Sequence, residues 1–276
     1  VAVCNEPAGQ YQFYGIVQDK KGQWIGKREG DIWQFDPGVF IDEDSKIYLY
    51  SGNGPKTEKD IGKTPKNSCV MELSDDMLTV IEEPRILLPI LGKAKDTGFE
   101  GHEFFEAPSI RKRDNTYYFI YSSIVMHELC YAVSDHPTGG FVYGGVIVSN
   151  CDLHIDSYKP ADMPAAYGAN NHGSMVQIGE DWYIFYHRHT NNTWYSRQGC
   201  AEKLTIREDG SIEQAEITSC GLNGGPLKGK GEYPAYLACN LFTDVPSVYV
   251  GKSNVPRVMQ DGRDGDEEPG YIANFT

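Results

Sequence analysis

Short apolar runs, each closed by Gly, Asp, Asn or Pro, recur along the whole chain. The clearest are KIYLYSG, TYYFIYSS, CYAVS, FVYGGVIVS, SMVQI, DWYIFYHR and CAEKLTI. Tyr, Phe, Ile and Val dominate them, and helical signals are scarce. Period-two alternation of β-branched and aromatic residues between turn formers predicts strands, because side chains on a strand point alternately to its two faces. DEDSK, KRDN and GED read as the charged tips of hairpins. The pattern predicts an all-β fold.

The runs also repeat in order. DPGVFIDEDSKIYLYSG (36–52), APSIRKRDNTYYFIYSS (107–123) and HGSMVQIGEDWYIFYHR (172–188) share a polar or small opening, a short strand, a polar turn and an aromatic strand. VAVCNEPAGQYQFYGIV (1–17) and CYAVSDHPTGGFVYGGVIV (130–148) share a strand, a Pro-Gly turn and a second strand. Together they predict a unit of four strands in about 65–70 residues, the content of a propeller blade with long loops. In a propeller the innermost strand of each blade starts at the central channel. An acid at such a start, as in FFEAPS, would face a shared cavity. Val1–Val17 matches only the second half of a unit, so the expectation is that the chain starts inside a blade. Residues 246–276 lack the blade pattern and are rich in Gly, Asp and Pro. The expected division is a partial propeller over 1–232, then a linker and the beginning of a second β module over 233–276.

Charge narrows the partners. Asp and Glu number 39 against 25 Lys and Arg, a formal net charge of −14. An acidic surface repels phosphate backbones, so no nucleic-acid partner is expected, whereas a neutral sugar is compatible with it. No run approaches the roughly 18 apolar residues of a membrane helix, so no membrane partner is expected either. The seven cysteines are odd in number and form no C-x-x-C pair. They read as reduced thiols of a cytoplasmic protein.

The aligned openings offer Asp36, Glu106 and His172, with Glu106 one place off register. Carboxylates converging on one cavity suit glycosidic bond cleavage. One carboxyl group must be protonated to donate to the leaving oxygen, and a second carboxylate or apolar surroundings raise its pKa. A turn-shaping role is the bland reading of each residue taken singly. His187 and His189 share a strand face, where hydrogen-bonded strand histidines are expected rather than a metal pair. His102 and Glu103 precede Glu106 as candidate supporting contacts. Trp33, Phe35, Phe104, Phe105 and Trp194 are candidate stacking surfaces for sugar rings, although most propeller aromatics are core. There is no G-x-S-x-G elbow, and neither Gly224-Gly225 nor KGKGE makes a phosphate loop.

Taken together, VAVCNEPAGQYQFYG, FDPGVFIDEDSKIYLYSG, FFEAPSIRKRDNTYYFIYSS, NNHGSMV and SRQGCAEKLTI resemble glycoside hydrolase family 43, over about residues 1 to 240. The look is that of its bacterial α-L-arabinofuranosidase/β-xylosidase branch. The resemblance implies a five-bladed β-propeller acting on arabinose- or xylose-containing oligosaccharides with inversion. It implies Glu106 as general acid, Asp36 as the carboxylate that tunes and orients it, and Arg197 as a substrate-binding residue; Phe35 and Phe105 join it as substrate-binding candidates on their aromatic faces alone. It also implies His172 as the channel histidine beside a water-coordinated ion, often Ca2+, and no organic cofactor. EYPAYLACNLF resembles the family's linker into a carbohydrate-binding β-sandwich. The family's general base is an aspartate of the first blade, upstream of Val1, and Asp261, Asp264 and Asp266 lie outside any blade opening. Two other readings stay open: a propeller that holds sugars without cutting them, and a retaining enzyme of the fructan-acting kind. Arabinosidase and xylosidase are not separable here, because both sugars are pentoses of similar size.

Overall fold

The computed structural model describes residues 1–241, 243, 255–260 and 270–274. The chain divides into two compact units, residues 1–119 with 132–143, and residues 120–131 with 144–276. Among the described residues every regular element is a strand, apart from two single-turn 3-10 segments, Glu58–Asp60 and Ala235–Leu237. No helix is long and apolar enough to cross a membrane.

The first unit opens with a two-stranded antiparallel ribbon, β1 (Ala2–Val3) and β2 (Gln12–Phe13). A four-stranded antiparallel meander follows: β3 (Gly38–Ile41), β4 (Ile47–Gly52), β5 (Ser68–Leu73) and β6 (Val80–Ile86). The tip between β3 and β4 is DEDSK, as its turn chemistry predicts. The Asp42 amide donates to the Lys46 carbonyl, and Ser45 takes φ +68°. Alternation along β4 sorts its side chains. Ile47 and Leu49 join Cys69, Met71, Leu73 and Val80 in one apolar cluster. On the other face the Tyr50 ring meets Phe119 edge-on at 5.6 Å, and its hydroxyl donates to the Pro137 carbonyl at 2.9 Å. Each fully buried side chain of this size contributes about 1.5–3 kcal/mol.

The second sheet is also four-stranded, with β7 (Phe104–Arg113), β8 (Thr116–Ser123), β9 (Glu128–Ser134) and β10 (Val142–Ser149) in sequential order. Its strands contribute residues to both units. The second unit contains the three-stranded sheet β11 (Ser174–Ile178), β12 (Asp181–His189) and β13 (Arg197–Lys203). A short pair, β14 (Arg257–Met259) and β15 (Tyr271–Ala273), lies in the same unit.

The three repeated openings thus become the hairpins β3–β4, β7–β8 and β11–β12, and the Pro-Gly repeats become β1–β2 and β9–β10. The pattern missed β5 and β6. β6 reads VIEEPRI and is mostly exposed, so it carries no apolar alternation and is held by backbone pairing to β5. All seven cysteines are free thiols. Asp261, Asp264 and Asp266 lie outside the described residues, as does most of 246–276.

Candidate active site

The two candidate carboxylates of the first unit sit at or beside left-handed backbone. Glu106 is the third residue of β7, half-buried between the buried Phe105 and Ala107. Ala107 takes φ +62°, and Asp36, just before Pro37, takes φ +46°. Left-handed geometry at a non-glycine residue costs of order 1–3 kcal/mol and persists only where the surroundings impose it. The residue before a proline is normally extended, which makes Asp36 doubly unusual.

What imposes it is a close approach of chains. A Cβ on Gly38 would lie 2.4 Å from the Pro108 carbonyl oxygen, and one on Gly54 would lie 2.5 Å from that of Phe104. Only glycine tolerates backbone at that range. Gly38 and Pro108 each stand two residues past a candidate carboxylate, so Asp36 and Glu106 open neighbouring stretches of chain. The Gly54 amide donates to the Phe105 carbonyl at 2.6 Å. The Asn53 side-chain amide donates to the same carbonyl at 3.3 Å and to Glu106 Oε2 at 3.4 Å. Asn53 is the contact to Glu106 that the sequence reading missed. Its one signal is the Asn-Gly that directly follows the aromatic strand.

The neighbours divide into exposed surface and core. Phe35 is 41% exposed, and its backbone is pinned by Ser51 Oγ through two 2.9 Å hydrogen bonds. It lines a cleft of about 280 Å³ with Pro37, Phe13 and Ile16. Phe104 and Phe105 are buried, so their rings pack rather than present a face. His102 stacks on Tyr143 at 4.9 Å. Glu103 is buried, and its Oε2 has no hydrogen-bond partner.

The second unit gathers bases instead of acids. His187 and His189 alternate on β12 and share a face, their rings 5.1 Å apart. Arg197, the first residue of β13, pairs in register with His189, and Gly199 pairs with His187. A Cβ on Gly199 would meet nothing within 4 Å, so the strand surface beside His187 is open at Gly199. His189 Nε2 is 3.1 Å from Asn170 Oδ1, and its ring lies edge-on to Trp194 at 6.1 Å. Neither ring nitrogen of His187 has a hydrogen-bond partner. The expectation of hydrogen-bonded strand histidines therefore describes His189 and not His187. Burial, then the charges of Arg197, His189 and His172, pushes the His187 imidazole down to about 3. Burial and Arg197 push His189 down to about 4. Both rings are therefore neutral at neutral pH, each with one donor and one acceptor nitrogen. His172 is exposed just ahead of β11, and Arg197 is exposed as well.

This donor set does not fit a directly ligated calcium ion. Ca2+ takes six to eight oxygens, carboxylates foremost. The side chains gathered here are two neutral imidazoles and the Arg197 guanidinium.

The first unit thus sets carboxylates at or beside left-handed backbone, and the second sets neutral imidazoles on one strand face. The chain belongs to glycosyl hydrolases family 43, whose family model matches residues 1–212. It is 61% identical to a xylosidase/arabinosidase of Thermoclostridium stercorarium, over all of this chain and 58% of that protein. It is 30% identical to an arabinoxylan arabinofuranohydrolase of Paenibacillus polymyxa, over 70% of this chain and 30% of the other. A solved β-xylosidase/α-arabinofuranosidase from a compost microbial metagenome, in complex with xylotriose in a calcium-free form, superposes with TM-score 0.57 and 28% identity. The match covers 78% of this chain and 64% of that one. The chain spans about 58% and 30% of the length of the two curated relatives.

Proposed function

We propose that this chain supplies the general acid of a glycosidase that cleaves α-L-arabinofuranosyl or β-D-xylosyl linkages in arabinose- or xylose-containing oligosaccharides. Glu106 is the general acid and protonates the leaving glycosidic oxygen. Asp36 is the carboxylate that tunes and orients it. Arg197 and Phe35 bind the sugar, the first through its guanidinium fork and the second through its exposed ring. The reaction inverts configuration, with water attacking from the face opposite the leaving group. The water-activating base that inversion requires is assigned to no residue of this chain.

One observation carries the reading. A carboxylate at the start of an otherwise packed strand is reached by the side-chain amide of Asn53, beside a residue in left-handed backbone. Packing alone gives no reason to keep that arrangement. Family membership and the 61% identical xylosidase/arabinosidase support it. The accompanying architecture we propose is a five-bladed propeller, with residues 233–276 as linker and first strands of a carbohydrate-binding β-sandwich. A calcium ion near His172 would reach this unit through water, and no step is routed through it.

The test is hydrolysis of aryl α-L-arabinofuranoside and aryl β-D-xyloside by the longest natural form of the protein, with the product anomer read by NMR. The inverted product is expected. Retention of configuration would contradict the mechanism, and sugar binding without any turnover would leave a holding module instead.

A further inference from the structure

The loop between β12 and β13 carries Trp194 and delivers Arg197. Its conformation is set at Asn191 and Asn192, which take φ +55° and +51°. Thr190 and Ser196 close its base through a backbone bond of 3.0 Å and a hydroxyl pair at 2.7 Å.

Asn191 spends nearly all its remaining hydrogen-bonding capacity on a stretch some 69 residues away in sequence. Its backbone amide donates to the Val258 carbonyl at 2.9 Å. Its Oδ1 accepts from the Gln260 amide at 2.6 Å, and its Nδ2 donates to the Gln260 carbonyl at 3.1 Å. The same Nδ2 donates to Ser196 Oγ at 3.1 Å, inside the loop. One carboxamide therefore pairs with the β14 end as an adjacent strand would, while bracing the loop from within. A merely loop-capping asparagine would need only the contact to Ser196.

A second clamp holds the chain that leads there. Buried Arg188, on the opposite face of β12 from His187 and His189, donates to the carbonyls of Tyr236 and Ala238 at 2.6 Å each. Gln198 accepts from Arg188 at 2.8 Å and donates to the Tyr236 carbonyl at 3.2 Å. The C-terminal stretch is thus fastened to the β12–β13 hairpin on both sides of the loop.

We propose that β14 is a positioning element for the β12–β13 loop, and that Asn191 is the positioning residue through which it fixes Trp194 and Arg197. The consequence for sugar binding rests on the function proposed above, whereas the positioning does not.

Asn191→Gly removes the carboxamide while keeping the left-handed backbone accessible. Gln260→Pro removes the partner amide from the other side. Hydrogen exchange is read on peptides covering 188–198 and 255–260 in the full chain. Both variants should speed exchange in both peptides by about tenfold or more, because the lost bonds were what closed them. In the longest natural form, KM for the aryl glycosides should rise about threefold to tenfold while kcat stays within about twofold, as loss of uniform binding does. Unchanged exchange in the peptide across the clamp from either substitution overturns the coupling. Faster exchange with unchanged KM overturns its role in sugar binding. Absence of turnover in the parent would count against the proposed function alone, since exchange decides the coupling without it.

Discussion

The carboxylate region of the first unit and the imidazole region of the second are built by opposite means. Around Glu106 the backbone does the work. Two glycines admit chain-on-chain approach, Asp36 and Ala107 sit in left-handed geometry, and the Asn53 amide reaches the carboxylate. Around His187 the backbone is regular. Strand alternation and register alone place His187, His189 and Arg197 together over the open space at Gly199. In the first unit close packing fixes the surroundings of a carboxylate; in the second a shared strand face is enough to bring two imidazoles together.

If the division is right, substitutions in the two regions fail differently. The largest contrast is kinetic. Glu106→Gln should lower kcat by about 10²–10⁴, the usual worth of a general acid. Arg197→Lys should instead raise KM by about tenfold with a smaller change in kcat, since a point charge does not replace a fork. Steady-state kinetics on the aryl glycosides separates the two, and a pure KM effect at Glu106 would erase the comparison.

Next comes stability. Gly38→Ala forces a Cβ against the Pro108 carbonyl and should cost about 1–3 kcal/mol, measured by urea denaturation. The same change at Gly199 should cost well under that, because open space awaits the methyl group. Equal losses would show that the close approach at Gly38 is not what shapes the site.

The pH response is smaller and has a defined sign. His187 and His189 titrate near 3 and 4 in the fold against 6.5 ordinarily, so unfolding takes up protons. Their contribution is fully present above pH 6.5 and is lost as pH falls toward 4. Burial pushes Glu202 up to about 6, which acts the other way: its contribution is present at low pH and is lost as pH rises through 6. Burial raises Asp152 as well, in the same direction as Glu202, so the imidazoles pull the denaturation midpoint down between pH 7 and pH 5 and the two carboxyls oppose that fall. His187→Gln should flatten that slope, and an unchanged slope would contradict the burial of a neutral ring there.

The smallest effect is at Asn53. Its amide stabilises the ionised form of Glu106, so Asn53→Ala should raise the acid's pKa and move the high-pH limb of the kcat/KM profile upward. A downward shift would mean that Asn53 supports the protonated form.

The hairpins were legible because they obey local rules. IYLYSG, TYYFIYSS and DWYIFYHR announce strands by composition, and DEDSK announces its turn. Asp36, Glu106 and His172 were legible only through the repeat, which marks them as openings. β6 was not, because VIEEPRI is an exposed strand held by backbone pairing and carries no apolar period. Asn53, the Gly38–Pro108 approach and the Asn191–Gln260 clamp were not legible either. Each depends on residues roughly 50 to 70 positions apart, and no local propensity encodes such a meeting. The pairing of His187 with Gly199 is likewise a matter of register, which the apolar pattern does not fix.

The most direct test of Glu106 as proton donor is the dependence of its loss on leaving group. Wild type and Glu106→Gln would be compared on pentosides whose leaving groups run from dinitrophenol, which needs no protonation, to a simple alcohol, which does. The account predicts little loss on the dinitrophenyl substrate and about 100-fold or greater loss on the alkyl one. A loss of equal size across the series would contradict it and place Glu106 among the groups that merely hold the sugar.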